Sequence, residues 1–405
     1  MTRELVERLG RASTLWTGAG MVFIGRDTRA SGLELEEAFV RGVVSAGGSA
    51  VLGGVLPTPA VALRGVELDL GVVITASHNP PEYNGVKFFD GEGRKLTDQS
   101  EEQIEQLLAA PPATDQGSVE RVDDAAERYL ALVVERFGSD LSALRIAVDC
   151  ANGAYSALAP RAFEQLGARV VAMGNDPDGT NINVACGATD TAALQRLVVR
   201  EQCDVGIAFD GDGDRMLAVD ERGEPVDGDQ IVAILALDRG VDAVAVTQMT
   251  NLGFHALMRE HGIRVVTTDV GDRYVLEALW REGGILGGEQ SGHVIFLRDH
   301  VTGDGLAAAL LLCAATRGRP LSEVVSVMPR FPQAKEDVRV ERKDLTSTIV
   351  QEVDRVNHVL AGKGRILVRP SGTEPLIRVL AEAQDPGLAE EACASIAALV
   401  RRELG

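Results

Sequence analysis

Leu70-Gly71-Val72-Val73-Ile74-Thr75-Ala76-Ser77-His78-Asn79-Pro80 is the stretch that decides the fold of this 405-residue chain. Its first five residues are apolar and mostly β-branched, which predicts a buried strand that ends in a polar loop. Ligand sites of α/β proteins lie at such strand ends, so Ser77 and His78 are candidate site residues. A solvated turn is the alternative, because Ser, Asn and Pro are ordinary turn formers. Lys87 follows in Asn84–Phe89, which we interpret as part of the same Pro-rich turn region.

The composition is that of a globular protein with an acidic surface: 45% of the residues are hydrophobic, 25% are charged, and the net charge is −20. Such a charge repels nucleic acids and anionic membranes, and we expect neither as a partner. An anionic substrate would need a local basic pocket. The five cysteines form no CxxC pair, and no signal peptide or membrane-length apolar run is visible, so we expect a reduced, cytoplasmic protein.

Strands and helices alternate along most of the chain. Residues 1–139 follow the order β-α-β-α-β, which is typical of a parallel sheet with crossover helices. Two further α/β units follow at 140–239 and 240–330, and alternating apolar residues in 331–405 predict antiparallel strands with two helices. The expected fold is therefore α/β, with three similar mixed α/β domains and a smaller α+β C-terminal domain.

Asp210, Asp212 and Asp214 alternate with glycines at the end of an apolar strand. Carboxylates this close raise one another's pKa unless a cation joins them, and ligation by oxygen alone suits Mg²⁺. A calcium EF-hand loop is one alternative. It requires glycine where Arg215 stands, and a flanking helix where the sequence predicts a strand. A solvated acidic turn without metal is the other alternative.

Arg369-Pro370-Ser371-Gly372-Thr373-Glu374-Pro375 offers two hydroxyls and successive backbone N–H groups, which suit a phosphate. Arg369 could add a bidentate contact, and Arg378 is close in sequence. A hairpin turn is the alternative here.

Two more loops carry polar groups. Gly25–Arg29 places two arginines at a strand end, and Glu289-Gln290-Ser291 lies in a glycine-framed loop suited to sugar hydroxyls. A surface loop is the alternative for each. Together the loops supply a nucleophile, a metal site, a hydroxyl-binding loop and a phosphate anchor, a combination that indicates phosphoryl transfer on a phosphosugar.

Four of these loops, in this order, resemble the signature loops of the α-D-phosphohexomutases, and other stretches are similar to the bacterial phosphoglucosamine mutase branch. Gln290 stands where relatives acting on mannose and glucose phosphates usually carry methionine, which fits an amino-sugar branch. The matching stretches are Thr75–Pro80, Asp210–Arg215, Gly288–His293 and Arg369–Pro375.

The resemblance implies a heart-shaped, four-domain isomerase with a central cleft. It implies that phosphorylated Ser77 converts glucosamine 6-phosphate to glucosamine 1-phosphate through glucosamine 1,6-bisphosphate, with one Mg²⁺ per site and the protein a monomer or homodimer. Lys87 would be the general acid or base, with His78 and Arg26 in support. The metal ligands it implies are Ser77, Asp210, Asp212 and Asp214. The substrate-binding residues it implies are Arg215, Glu289, Ser291, His293, Arg369, Ser371, Gly372, Thr373 and Arg378.

Two further activities stay open. One is mutase activity on mannose or glucose phosphates. The other is a weakened, phosphosugar-binding form, because family members begin with a strand and loop close to Phe-Gly-Thr-Asp-Gly-Ile-Arg-Gly, and Met1 here stands in or just before the first helix. We therefore expect a first domain that lacks this strand. A serine hydrolase is disfavoured, since no Gly-x-Ser-x-Gly motif surrounds Ser77.

Overall fold

The computed structural model describes residues 1–113, 117–371 and 374–405. These residues form two compact units. Unit 1 comprises Met1–Met249 and Ile263–Val327, and unit 2 comprises Thr250–Gly262 and Met328–Gly405. The bounds of the four predicted domains stay a prediction.

The first sheet of unit 1 has five strands in the order β4-β3-β1-β2-β5. All neighbours pair in parallel except β3 and β4, so the predicted β-α-β-α-β order is confirmed. The Ser77 loop directly follows β3, whose five residues are all buried. The strands are β1 (Met21–Arg26), β2 (Ser49–Val55), β3 (Leu70–Ile74), β4 (Val86–Asp90) and β5 (Ser118–Arg121). The helices are α1 (Arg3–Trp16), α2 (Gly32–Ser45), α3 (Thr58–Gly65), α4 (Asp98–Leu107) and α5 (Ala125–Phe137).

Lys87 lies in strand β4, so the predicted turn region around it is wrong at this position. β4 pairs antiparallel with β3, and Lys87 lies opposite Val73. Val86 and Phe88 pack against the core of the first sheet. This alternation of side chains, together with the free edge of β3, favours a strand over a turn.

The second sheet has the order β10-β9-β8-β6-β7 and the third has the order β12-β11-β13-β14. In both sheets, parallel strands are extended by antiparallel pairing at one side, as in the first sheet. The three similar mixed α/β sheets that the sequence predicts are confirmed. Their strands are β6 (Arg145–Asp149), β7 (Arg169–Met173), β8 (Val205–Phe209), β9 (Met216–Asp220), β10 (Pro225–Val226), β11 (Ala243–Thr247), β12 (Arg264–Thr268), β13 (Leu286–Gly288) and β14 (Val294–Phe296). The helices of this part of the chain are α6 (Ala159–Gln165), a 3-10 turn (Gly187–Thr189), α7 (Ala192–Glu201), α8 (Gly228–Arg239), α9 (Leu252–Glu260), α10 (Asp272–Glu282), α11 (Gly305–Thr316) and α12 (Leu321–Val325). Of these, α9 belongs to unit 2.

Unit 2 has a three-stranded antiparallel sheet in the order β15-β17-β16. Two helices of the same unit contribute to one hydrophobic core with it, which confirms the predicted α+β character of this part. These elements are β15 (Gln333–Arg339), α13 (Ser347–Leu360), β16 (Gly364–Pro370), β17 (Leu376–Ala383) and α14 (Pro386–Leu404).

Across the three described ranges, we find no helix that combines the length and the apolarity needed to cross a lipid bilayer.

Helices α1 and α2 pack closely because each contributes a glycine to the contact. A Cβ on Gly42 would lie 2.1 Å from the carbonyl oxygen of Glu7 and 2.7 Å from the amide nitrogen of Arg11. A Cβ on Gly10 would lie 2.3 Å from the carbonyl oxygen of Phe39. Backbone atoms cannot move aside as a flexible side chain can, so any larger residue must separate the helices.

Gly42→Ala is therefore expected to lower the free energy of unfolding by about 1–3 kcal/mol, the usual cost of overpacking. Gly32→Ala is the matched control, because it lies in the same helix and its Cβ would meet nothing closer than 3.4 Å. Calorimetric melting curves of the two variants give the comparison. Equal stability of both variants would contradict the close packing of α1 and α2.

Candidate active site

The Ser77 loop holds its serine in an unusual backbone conformation. Ser77 has φ of +50°, in the left-handed region that non-glycine residues seldom adopt. Its amide donates a hydrogen bond to Thr75 Oγ1 over 2.8 Å, and its hydroxyl donates to Asp210 Oδ2 over 2.7 Å. The predicted nucleophile is thus in direct contact with the predicted metal loop.

The buried guanidinium of Arg29 binds backbone carbonyl oxygens of the Ser77 loop. Its Nη2 donates to the carbonyl oxygens of Ser77 and Asn79 over 2.9 and 2.8 Å. Its Nη1 donates to the carbonyl oxygens of Pro80 and Tyr83, and its Nε donates to Asp27 over 2.9 Å. All five N–H donors of the side chain are therefore used, four of them on backbone carbonyls of the loop.

Two more side chains support the same loop. Thr75 Oγ1 donates to Asp27 Oδ2 over 2.7 Å, and Asn183 Nδ2 donates to the carbonyl oxygens of Ser77 and Asn79 over 2.9 and 3.1 Å. Sequence reasoning missed these supporting roles. The two arginines of Gly25–Arg29 were the available signal, but the sequence does not show which of them turns inward.

Asp210, Asp212 and Asp214 converge as predicted. One carboxylate oxygen of each lies within 4.8 Å of the others, and all three residues are buried. Burial and the neighbouring carboxylates of Asp212 and Asp214 raise the pKa of Asp210 well above its usual value. Burial also opposes ionisation of Asp214, but Lys87 and His293 hold its pKa well below the usual value.

These residues fit a divalent cation. The buried oxygens Asp212 Oδ1 and Asp214 Oδ1 have no hydrogen-bond partner within the part of the chain that the structure describes. Carboxylate oxygens and the Ser77 hydroxyl are hard ligands of the kind that Mg²⁺ prefers.

Lys87 reaches this cluster from strand β4. Its Nζ lies 2.6 Å from Asp212 Oδ2 and 2.9 Å from Asp214 Oδ2. Burial alone would lower the pKa of Lys87, but the two carboxylates raise it above its usual value. Lys87 therefore carries its proton at neutral pH.

His78 and Arg215 lie on the other side of the serine. His78 Nδ1 is 3.4 Å from Ser77 Oγ and 3.2 Å from Arg215 Nη1. Burial and the Arg215 cation lower the pKa of His78, so its imidazole is neutral at neutral pH. Because guanidinium only donates, His78 Nδ1 accepts from it and the imidazole proton lies on Nε2.

His293 lies between Asp214 and the carboxylate of Asp272. Its Nδ1 lies 3.7 Å from Asp214 Oδ1, and its Nε2 lies 3.4 Å from Asp272 Oδ2. Lys95 forms an ion pair with the same oxygen of Asp272. Burial opposes ionisation of Asp272, yet His293 and Lys95 lower its pKa. Sequence reasoning named His293 but missed Lys95 and Asp272.

A cavity of about 280 Å³ opens above these groups. Its cations are placed where an anionic ligand needs them, against the net charge of the chain. The lining residues are Ala76, Ser77, His78, Asn79, Lys87, Lys95, Asp214, Arg215, Asp272 and His293.

The remaining predicted residues of unit 1 lie elsewhere. Arg26 Nε lies 3.4 Å from buried Glu36 Oε2. Glu289 Oε1 accepts from the Gly271 amide over 3.1 Å, and the Ser291 hydroxyl lies 3.5 Å from Glu289 Oε2.

Gln290, whose polarity was the hint of an amino-sugar ligand, directs its side chain to another residue of the protein. Its Nε2 lies 3.4 Å from Asp229 Oδ2, and its carbonyl oxygen accepts from the Gly228 amide over 3.1 Å. This geometry gives Gln290 a role in holding the Glu289–Ser291 loop against helix α8.

In unit 2, Arg369 and Arg378 lie directly opposite each other on β16 and β17. Burial and the Arg378 cation lower the pKa of Arg369. Buried Ser371 accepts from the Glu374 amide over 3.3 Å through its hydroxyl, and its carbonyl oxygen accepts from Lys343 Nζ over 2.8 Å. The predicted residues Gly372 and Thr373 lie outside the described residues.

A serine at a strand end, an adjacent carboxylate cluster suited to a divalent cation, and a cation-lined cavity define a phosphoryl-transfer site on an α/β scaffold. The models of phosphoglucomutase/phosphomannomutase α/β/α domains I, II and III match residues 1–114, 127–223 and 227–331, and that of the C-terminal domain matches residues 333–399. The chain therefore belongs to the phosphoglucomutase/phosphomannomutase family, the α-D-phosphohexomutases, as its motifs predicted.

Relatives with known names match almost the whole chain. The chain is 49% identical to the phosphoglucosamine mutase of Moorella thermoacetica, covering 94% of this chain and 91% of the relative. It is 50% identical to that of Pelotomaculum thermopropionicum, covering 92% and 88%. Among solved structures, a phosphoglucomutase/phosphomannomutase family protein from Burkholderia thailandensis is 25% identical with a TM-score of 0.84, covering 100% of this chain and 94% of that chain.

Arg29→Lys is expected to destabilise the protein by about 2–6 kcal/mol. Lysine has three donors in place of five, so at least two buried acceptors lose their partner at about 1–3 kcal/mol each. Arg41→Lys is the control, since Arg41 is exposed and pairs only with Glu7 among the contacts found. Chemical denaturation of both variants measures the difference, and a wild-type curve for Arg29→Lys would refute the proposed clamp.

Proposed function

We propose that this protein interconverts glucosamine 6-phosphate and glucosamine 1-phosphate through a phosphoserine at Ser77 and glucosamine 1,6-bisphosphate. The observation that carries the proposal is the 2.7 Å contact between Ser77 Oγ and Asp210 Oδ2. It joins a nucleophile to a buried carboxylate cluster, in a chain 43–50% identical to several phosphoglucosamine mutases.

Ser77 and the three aspartates would hold one Mg²⁺. When bound, the ion supplies positive charge to the phosphoryl group in transit. The buried carboxylates favour this, because they repel one another and two of their oxygens receive no hydrogen bond from the described residues. The hard oxygen donors support Mg²⁺ as the metal.

Each half-reaction exchanges a phosphorus–oxygen bond to Ser77 Oγ for one to a sugar oxygen. One proton therefore passes from the hydroxyl that attacks to the oxygen that leaves. Lys87 is the candidate for this transfer, since it carries a proton and lies beside the cavity. The neutral His78 accepts from Arg215, so it would contact the phosphate and not take the serine proton.

Arg215 and Arg26 would stabilise negative charge on the phosphoryl group. Arg215 lines the cavity, which supports this role directly. Arg26 pairs with Glu36, so its contribution would depend on release from that carboxylate.

The loop at Glu289 and Ser291 would bind sugar hydroxyls, with His293 behind it. Ser291 and Glu289 present a hydroxyl and a carboxylate next to each other, a suitable pair for vicinal hydroxyl groups.

In unit 2, we propose that Arg369, Arg378 and Ser371 bind the phosphate that is not reacting. Two like charges placed directly opposite on paired strands destabilise a sheet, and a bound dianion would reverse that cost. Gly372 and Thr373, which lie outside the described residues, complete the predicted loop.

We also propose that the protein works in the cytoplasm, as a monomer or homodimer. Its five cysteines are all free and buried, which suits a reducing compartment.

Ser77→Ala is expected to lower glucosamine 1-phosphate turnover by about 10³-fold or more, because the covalent carrier is lost. Ser118→Ala, at a serine on the edge strand β5, is the control. The coupled assay is read beside intact-mass spectra, which should show one phosphate in the wild type and none in Ser77→Ala.

Three results would count against the proposal. Sugar-phosphate binding without turnover would indicate a binding protein. Turnover of glucose 1-phosphate equal to or above that of glucosamine 1-phosphate would overturn the amino-sugar assignment. Full activity of Ser77→Ala would overturn the phosphoserine mechanism.

Removal of divalent cations is expected to abolish turnover, and added Mg²⁺ is expected to restore it. The reason is that the Asp210, Asp212 and Asp214 carboxylates would otherwise repel the phosphoryl group. The assay compares chelated protein, chelated protein with Mg²⁺, and chelated protein with Na⁺ at equal ionic strength. Undiminished activity after exhaustive chelation would contradict the cation site.

A further inference from the structure

A buried polar cluster lies next to the aspartate loop, Asp210–Asp214. None of its residues belongs to the sequence motifs or has a role in the proposed catalysis. It contains Tyr129 from α5, Tyr155 from the segment between β6 and α6, and His300 and Asp304 from the segment before α11. The two tyrosine hydroxyls lie 2.5 Å from each other and 2.8 Å from Asp304, and His300 Nε2 lies 2.9 Å from Asp304. Three distant parts of the chain thus meet on one carboxylate.

Asp304 uses both of its oxygens fully. Besides these three side chains, the amides of Leu306 and Ala307 donate to its Oδ1 over 2.9 and 3.0 Å, so Asp304 caps helix α11. His300 Nδ1 accepts from the Val301 amide over 2.9 Å, which leaves the imidazole proton on Nε2 for Asp304. These five neighbouring groups therefore fix the rotamer of the Asp304 carboxylate and the position of the helix terminus.

The cluster touches the aspartate loop at Gly213, between two of the three carboxylates. Gly305 directly follows Asp304, and its amide donates to the Gly213 carbonyl oxygen over 3.0 Å. A Cβ on Gly213 would lie 2.3 Å from the ring of Tyr155, so the ring packs directly against this glycine. Gly213 has φ of +75°, a conformation that glycine adopts easily.

Two other backbone amides donate to carbonyl oxygens of the same loop. The Ala154 amide donates to the Gly211 carbonyl oxygen over 2.9 Å, and the Thr58 amide donates to that of Asp212 over 2.8 Å. With these carbonyls engaged by neighbouring segments, the loop offers its carboxylates to the site. Carboxylate spacing, and with it cation affinity, then depends on these outer contacts.

We propose that Tyr155 and Asp304 are positioning residues for cation binding: they fix Gly213 and so set the separation of the Asp212 and Asp214 carboxylates. The inference rests on the proposed cation site. A core built only for stability would gain as much from apolar side chains, whereas a buried carboxylate with five polar neighbours specifies a single geometry.

Binding of Mn²⁺, followed by electron paramagnetic resonance of the free ion, tests this on the full chain without turnover. Asp304→Asn and Tyr155→Leu are expected to weaken Mn²⁺ affinity by about 10-fold or more, as is usual for outer contacts of metal ligands. Tyr155→Phe keeps the ring against Gly213 and should lose less. It also serves as the second variant if Asp304→Asn fails to fold.

Two controls separate the possible failures. Gly42→Ala is expected to lower stability at the α1–α2 contact with Mn²⁺ affinity unchanged. Asp212→Asn is expected to remove most Mn²⁺ binding. If Asp212→Asn weakens binding but the Tyr155 and Asp304 variants bind as the wild type does, only this inference falls.

If Gly42→Ala weakens binding as much as Asp304→Asn, the effect is general loss of stability and the inference also falls. If the wild type binds no Mn²⁺, or Asp212→Asn has no effect, the proposed cation site and this inference fall together.

Discussion

Repulsion among three buried carboxylates is the constraint on which the site depends. Asp210, Asp212 and Asp214 converge within a few ångströms, where like charges cannot ionise together cheaply. The cations of Lys87 and Arg215 offset part of this negative charge. Lys87 comes from strand β4 of the first sheet, and Arg215 directly follows Asp214 in the chain. Since the chain carries a net charge of −20, these local cations matter more than any long-range field. Lys87, Lys95 and Arg215 line the cavity together with Asp214 and Asp272, so positive charge is present where the proposed anionic substrate would bind.

The same need for fixed geometry explains why so many backbone carbonyls are bound around the site. Arg29 takes four carbonyls of the Ser77 loop, and neighbouring amides take those of Gly211 and Gly213. These hydrogen bonds are needed for stability, since a buried carbonyl without a donor would destabilise the fold. With the backbone oxygens occupied in this way, the side chains are the groups available to the cavity. The left-handed backbone at Ser77 is tolerated because these contacts over-determine it.

The sequence was sufficient for the parts of the fold and site that local patterns encode. Apolar runs followed by polar loops predicted the strands, and the spacing of aspartates with glycines predicted the carboxylate cluster. Lys87 was assigned to a turn because its strand is defined by pairing with β3, which a short polar segment does not reveal. The partners of Arg29 and Asp304 lie up to 54 and 175 residues away along the chain, so no local pattern contains them. Gln290 shows the reverse case: its polarity is visible, but its direction toward Asp229 is a property of the folded chain alone.

The two units concentrate opposite charges: unit 1 contains the cluster of three aspartates, and unit 2 contains the arginine pair on β16 and β17. Under the proposed function, this suits a ligand with two phosphate groups. In unit 1, the buried oxygens Asp212 Oδ1 and Asp214 Oδ1 receive no hydrogen bond from the described residues, which favours a divalent cation. In unit 2, Arg369 and Arg378 lie opposite each other across a strand pair, an arrangement that favours a dianion without a metal. A mutase must bind one phosphate for reaction while the other is held, and then exchange their roles. Under the proposed function, the arginine pair would hold one phosphate, and only the group bound beside the nucleophile and the carboxylate cluster would be transferred.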